Sequence, residues 1–210
     1  MQAQGQRSKI LIVGSGFGGL GMAIRLKQQG IHDFKIIERA AEVGGTWRDN
    51  TYPGVACDVP SHLYSFSFIK NPNWSRVFPQ GAEIQRYLIQ CCDQENIRPH
   101  IDFHTPLENA SWNAKERIWE VQTSKGVYQA EFLITATGHL ADEHLPQIPG
   151  LDEFQGQVMH SARWNHEVNL DNQRVVVVGS GASAIQLVPE IAKTAKSLTV
   201  LQRSAPYILP

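Results

Sequence analysis

The sequence predicts an α/β fold made of two units of one kind, each a parallel strand, a glycine-rich turn, a helix and a second strand. Three observations carry this. "KILIVG" (Lys9–Gly14) is a β-branched apolar run ending on glycine, as a buried parallel strand does. "RVVVVGSGASAIQLVPEIAKTAKSLTVLQRS" (Arg174–Ser204) repeats the same order of elements. Between them, "AEFLITATG" (Ala130–Gly138) is another apolar run that closes on glycine.

In the first unit, Leu20, Ala23, Ile24 and Leu26 recur at helical spacing, and Gly30 stops the helix. Asp33–Arg39 then reads as the second strand. From Ala40 to Asn73 the chain is rich in Gly, Pro and aromatic residues and too long for a simple connection, which marks a functional loop region. Ala82–Gln94 carries Ile84, Tyr87, Leu88 and Cys91 at helical spacing. Residues 101–131 read as short strands and turns, a β-meander inserted in the first unit. "HLPQIPG" (His144–Gly150) is a proline-rich linker. The expected division is a first nucleotide-binding domain over 1–145, a linker over 146–170, and the first βαβ of a second domain over 171–210.

Composition is that of an ordinary globular chain, with 42% hydrophobic and 19% charged residues. A formal net charge of −1 supplies no field for nucleic acid or an anionic membrane. Three cysteines, two of them adjacent, do not form a disulfide framework and point to a reducing cytoplasm. No apolar run is long enough for a membrane span. Five glycines within Ile10–Ile24 argue against a signal-peptide helix. The histidine pairs His100/His104 and His160/His166 lack a clear third ligand, so no metal site is expected. There is no G-K-[ST] phosphate loop, and the sequence around Ser183 lacks the final glycine of a hydrolase elbow.

The two glycine turns carry the chemistry. The first, Gly14-Ser15-Gly16-Phe17-Gly18-Gly19, matches G-x-G-x-x-G. The second, Gly179-Ser180-Gly181-Ala182-Ser183-Ala184, matches G-x-G-x-x-A. Glycine allows the tight turn and a close approach of backbone to a pyrophosphate, the third small residue lets helix pack on strand, and the helix N-terminus faces the anion. Glu38 lies 24 residues after Gly14, and Arg203 lies 24 residues after Gly179. A carboxylate at that strand tip accepts hydrogen bonds from a ribose diol, whereas a guanidinium pairs with a 2′-phosphate. The first turn therefore suits FAD or NAD, and the second suits NADP. Together they imply electron transfer from a nicotinamide to a flavin.

Between these units lies "FQGQVMHSARW", with Phe154, Gly156, His160 and Trp164 in the order F-x-G-x-x-x-H-x-x-x-W. With "GGTWRDNTYPGVACDVPSHLYSFSF" (Gly44–Phe68), which runs from Trp47 through Tyr52-Pro53-Gly54 to Asp58, and with "ITATG" (Ile134–Gly138), the chain resembles the Baeyer–Villiger monooxygenases, class B flavoprotein monooxygenases. Asn165 stands where that family's pattern ends in Pro or Asp. The likeness runs over nearly the whole chain from Lys9.

The resemblance implies two Rossmann-like domains, FAD in the first, NADPH in the second, and O2 as co-substrate. The implied reaction inserts one oxygen atom into a ketone to give an ester or lactone, or oxidises a sulfide, through a flavin C4a-peroxide. Thr46, Trp47 and Asp49 would lie along the FAD, to which the glycine turn, Glu38 and Leu107 also belong. Asp58 is the catalytic candidate near flavin and nicotinamide, with Ala56 and Cys57 beside it and His62 approaching the flavin. Ser180 to Gln186 would hold the NADP pyrophosphate, with Arg203 and Ser204 on the 2′-phosphate. His160 would be a hinge residue in the connector formed by Phe154, Gly156 and Trp164. From the residues alone, Asp58 follows a turn stiffened by Pro53 and Gly54 and is either aimed at the cofactor or a turn-stabilising side chain. Trp47 is either a flavin contact or a core aromatic.

Family members are more than twice as long, and their peroxide-stabilising Arg lies beyond the second glycine turn, so no residue here takes that role. The sequence thus reads as a truncated form whose second domain is incomplete and whose parallel strands leave apolar surface uncovered. Three alternatives stand beside the monooxygenase: an inactive nucleotide-binding fragment, an N-hydroxylating flavoprotein, and a disulfide reductase, for which Cys57 lacks a nearby partner.

Overall fold

A computed structural model describes residues 6–207 of the chain, folded as two compact units. The first comprises residues up to 48, 65–71 and 82–141; the second comprises 49–64, 72–81 and 142 onward.

The first unit is built on a six-stranded sheet. Its strands are β1 (Gln6–Val13), β2 (Phe34–Ile37), β3 (Ile101–Asp102), β4 (Leu107–Asn113), β5 (Ile118–Thr123) and β6 (Gly126–Thr135), in the order β3-β2-β1-β6-β5-β4. β1 pairs in parallel with β2 and β6, as the glycine-ended runs predict. The meander is present as β4, β5 and β6, joined by antiparallel ladders.

β6 differs from the strand expected over Ala130–Gly138. It starts earlier and serves two ladders, antiparallel to β5 through Gly126–Ala130 and parallel to β1 through Tyr128–Thr135. Its later half is also less buried than expected: Phe132 is 56% exposed. β2 is shorter than Asp33–Arg39 and ends at Ile37; beyond it, Glu38 N–H donates to Asp102 O at 3.0 Å and its carbonyl accepts from Thr105 N at 2.8 Å.

Helix α1 (Phe17–Gln28) buries Gly19, Leu20, Ala23 and Ile24 and ends ahead of Gly30, whose φ of +76° breaks the helix. A short helix, α2 (Thr46–Asp49), begins the loop region, and α3 (Gly81–Gln94) buries Ile84, Tyr87, Leu88, Cys91 and Cys92. Leu11, Val13, Ile37, Val121, Tyr128 and Ala130 form one core cluster, joining the parallel strands to the meander.

The second unit holds β7 (Arg174–Val178) and β8 (Ser197–Leu201), paired in parallel, with α4 (Ala182–Ile191) between them in sequence. Val175 and Val177 pack toward the Leu187/Ile191 cluster, whereas Val176 and Val178 are 58% and 56% exposed. One face of this two-stranded sheet is therefore apolar and exposed. Among the described residues no helix is long and apolar enough to cross a membrane.

Candidate functional site

In the first unit the glycine turn is a cradle shaped by backbone contact. Gly14 has φ +97°, and a Cβ there would fall 2.6 Å from Ala136 O. A Cβ on Gly19 would fall 1.9 Å from Gly14 O, so only glycine lets α1 start this close to β1. Gly16 precedes the helix with no side-chain cap, and the first turn of α1 has no acidic residue. A helix start of this kind, with neither cap nor acidic residue, is one that accommodates an anion.

Glu38 is 4% exposed and closes this turn. Its Oε2 accepts from Ser15 N at 2.9 Å and Ser15 Oγ at 2.7 Å; its Oε1 accepts from Ala40 N at 2.9 Å and pairs with Arg48 at 3.0 Å. The buried carboxylate is held by four donors, which fix the strand tip against the glycine turn. Gly45 approaches the same turn: a Cβ on Gly16 would sit 3.7 Å from Gly45 Cα. Gly44 has φ +127°, and Gln85 occupies the space a Cβ there would need. Thr46 is exposed and Trp47 half-buried on α2, where Trp47 N donates to Gly44 O at 3.2 Å. Leu107 packs beside the Leu11/Val13/Ile37 cluster.

In the second unit, Gly179 has φ +112° and Gly181 precedes α4, again with no side-chain cap and no acidic residue in the first turn. Ser180 Oγ donates to Ser204 O at 3.2 Å, tying the glycine turn to the segment after β8. Arg203 is exposed and has no ion-pair partner among the described residues.

The Tyr52–Asp58 segment belongs to this unit by compactness. Tyr52 is buried against Leu187 and Ile191, and burial pushes its phenol up, the neighbouring Ser183 hydroxyl opposing and the Asp58 charge adding. Asp58 itself is exposed. Cys57 is buried beside it, with its thiol raised chiefly by burial. His62 is exposed and lies beyond this segment.

The F-x-G-x-x-x-H-x-x-x-W stretch has a local explanation for each named residue. The Phe154 ring lies over Gly156, where a Cβ would meet it at 2.5 Å. His160 Nδ1 accepts from Ala162 N at 3.1 Å and caps the single turn Ser161–Arg163. With Nδ1 accepting, the neutral ring carries its proton on Nε2. Trp164 packs against the Tyr52/Leu187/Ile191 cluster and anchors the stretch to the second unit.

The structure thus gathers Gly14, Ser15, Gly16, Gly19 and Glu38 in one unit, and Gly179–Ala184, Ser204 and the Tyr52–Asp58 segment in the other. Two functional candidates were not evident from sequence. Arg48, the partner of Glu38, sits on the single-turn helix α2, too short for any periodicity to expose it. Tyr52 was visible only as the first residue of the Tyr-Pro-Gly turn. Dithiol chemistry has no support from these cysteines: all three are free and buried, and burial raises Cys91 to about 11 and Cys92 to about 12.

A family model described as pyridine nucleotide-disulphide oxidoreductase matches residues 11–207. A Baeyer–Villiger monooxygenase of Streptomyces coelicolor is 50% identical over 202 residues, which cover 96% of this chain and 39% of that protein. Among solved structures, an oxidised steroid monooxygenase bound to NADP superposes with a TM-score of 0.89 at 38% identity, covering 98% of this chain and 40% of that one. The complex of OTEMO with FAD and NADP gives 0.87 at 34% identity, covering 94% and 39%. The chain therefore spans about 40% of the length of the relatives it matches.

Proposed function

The chain belongs to the pyridine nucleotide-disulphide oxidoreductase family, and from that premise we propose that it is the FAD- and NADPH-binding part of a Baeyer–Villiger-type monooxygenase. The observation that carries the reading is the opposition of charge at equivalent strand tips, Glu38 in one unit and Arg203 in the other. The N–H groups at the start of α1 take the FAD pyrophosphate, and Glu38 takes the adenosine ribose hydroxyls in place of one of its present donors. The corresponding groups of α4 take the NADP pyrophosphate, while Arg203 and Ser204 take the 2′-phosphate. The uncapped helix starts suit both groups; in the first turn Gly14 and Gly19 also admit no Cβ, while in the second the positive φ of Gly179 favours glycine and the space around Gly179 and Gly181 is open.

When bound, the two cofactors supply hydride from nicotinamide to flavin and, from reduced flavin, electrons for O2. The residues of this chain bind and orient. Thr46, Trp47, Asp49 and Leu107 complete the FAD surroundings, and Ala56, Cys57, Asp58 and His62 form the segment nearest the reacting ends. Asp58 is the catalytic candidate, a free carboxylate whose charge acts on groups that gain charge during reaction. The connector Phe154, Gly156, His160 and Trp164 is the hinge. The substrate class is a ketone, converted to an ester or lactone, or a sulfide, in a reducing cytoplasm.

Two experiments test this. Arg203→Ala weakens NADPH binding about 10- to 100-fold, the worth of a charge-assisted phosphate contact, and leaves NADH within about 3-fold; equal losses refute the 2′-phosphate role. For the electron transfer, NADPH added to the FAD-loaded chain without O2 bleaches the visible flavin absorbance. A loaded flavin that NADPH leaves oxidised overturns the nicotinamide-to-flavin reading.

A further inference from the structure

The Tyr52–Asp58 segment carries the proposed carboxylate, yet Pro53 and Gly54 alone do not fix where it lies. One backbone edge is used by neighbouring chain: Gly81 N donates to Val55 O at 3.0 Å, and Cys57 N donates to Pro79 O at 2.9 Å. The other edge is the N–H and carbonyl of Ala56, and both meet one side chain. Ala56 N donates to Gln186 Oε1 at 3.1 Å, and Gln186 Nε2 donates to Ala56 O at 2.9 Å. The amide of Gln186 stands in for an adjacent strand.

Gln186 Oε1 also accepts the Tyr52 hydroxyl at 2.8 Å. Its oxygen is then saturated, and only one N–H of the amide is unused. Close packing reinforces the bonds. Gly54 has φ +81°, and a Cβ there would fall 2.5 Å from Gln186 O. The Tyr52 ring packs on Leu187 and Ile191, one helical face of α4.

We propose that Gln186 is a positioning residue, a latch that fixes the Asp58-bearing segment to α4 and couples occupancy of the Gly179–Ala184 turn to order at that segment, instead of a ligand to the pyrophosphate. The coupling follows because an anion on the first N–H groups of α4 stabilises the helix that carries the latch. The coupling rests on the dinucleotide reading above; the latch rests on the hydrogen bonds alone.

The test is amide hydrogen exchange at Ala56 in the full 210-residue chain, with and without NADP+, for the wild type, Gln186→Met and Tyr52→Phe. Met fills similar volume without hydrogen bonds, and exchange at Ala56 accelerates at least about 10-fold. Tyr52→Phe, which removes one bond and keeps the ring, accelerates it about 3-fold and serves if the Met variant does not fold. NADP+ slows Ala56 in the wild type and in Tyr52→Phe but not in Gln186→Met. The NADP+ affinity of Gln186→Met falls by no more than the factor by which NADP+ slows Ala56 in the wild type, as reciprocal coupling requires. A larger loss overturns the positioning role in favour of a direct ligand. Unchanged Ala56 exchange in both variants overturns the latch. Slowing by NADP+ that is equal in the wild type and Gln186→Met overturns the coupling. A wild type that ignores NADP+ refutes the dinucleotide reading, while exchange at Ala56 in its absence still decides the latch.

Discussion

Adding one methyl group at Gly19 tests whether the first glycine turn is built as described. In Gly19→Ala the new Cβ would fall 1.9 Å from Gly14 O and 2.9 Å from Gly14 C, both backbone atoms that no rotamer change can move. Helix α1 has to back away from β1 by about an ångström, and overpacking of this kind costs about 1–3 kcal/mol. Gly18 is the control, because it lies next to Gly19 in the same first turn and a Cβ there would sit an ordinary 3.6 Å from Ala136 Cβ. Both substitutions gain the same helix propensity, about 0.5–1 kcal/mol over glycine. Gly18→Ala is therefore neutral or mildly stabilising, and Gly19→Ala is less stable than Gly18→Ala by about 1–3 kcal/mol. In a chain of this size that separates their melting temperatures by about 2–12 °C. Paired urea and thermal unfolding curves measure the difference. Coincident curves for the two variants refute the close helix–strand contact.

Three further outcomes follow from the same geometry. Glu38→Gln removes the buried carboxylate that pairs with Arg48 and accepts from Ser15 and Ala40, so it destabilises the first unit by about 3 kcal/mol and lowers FAD affinity, read by urea unfolding and by flavin fluorescence. Trp164→Ala removes a ring packed on Tyr52, Leu187 and Ile191; limited proteolysis then cuts the 154–164 stretch faster while the first unit stays intact. Cys91 and Cys92 are raised to about 11 and about 12, so their burial favours the neutral thiol. The stability this gives is whole below the ordinary thiol value near 9 and is lost as pH rises toward 12. An unfolding series from pH 8 to 12 checks this, and Cys92→Ala moves the onset of alkaline unfolding upward if the assignment holds.

The features legible in the sequence are those whose physics is local. Gly14 and Gly179 take positive φ because their turns require it, and G-x-G spacing announces such turns without reference to the rest of the chain. Gly30 ends α1, and the meander turns fall where Asn113–Glu116 and Ser124–Gly126 place them, for the same reason. What the sequence hid depends on pairing between distant segments. β6 begins at Gly126 because β5 pairs with it there, and its length comes from β1 on its other side. The Ser15 and Arg48 donors around Glu38 and the bonds from Gln186 to Tyr52 and Ala56 join residues with no periodic relation. The Phe154–Gly156 contact is an intermediate case, local in sequence and visible as a motif, with its steric cause evident only in the folded chain.

The proposed function requires two separate nucleotide sites with opposite preferences at the ribose. Equilibrium dialysis of the chain against FAD and NADP+, singly and together, tests this most directly. Binding of one equivalent of each, with neither displacing the other, is the predicted result. Competition of FAD and NADP+ for a single site, or retention of neither by the folded chain, contradicts it.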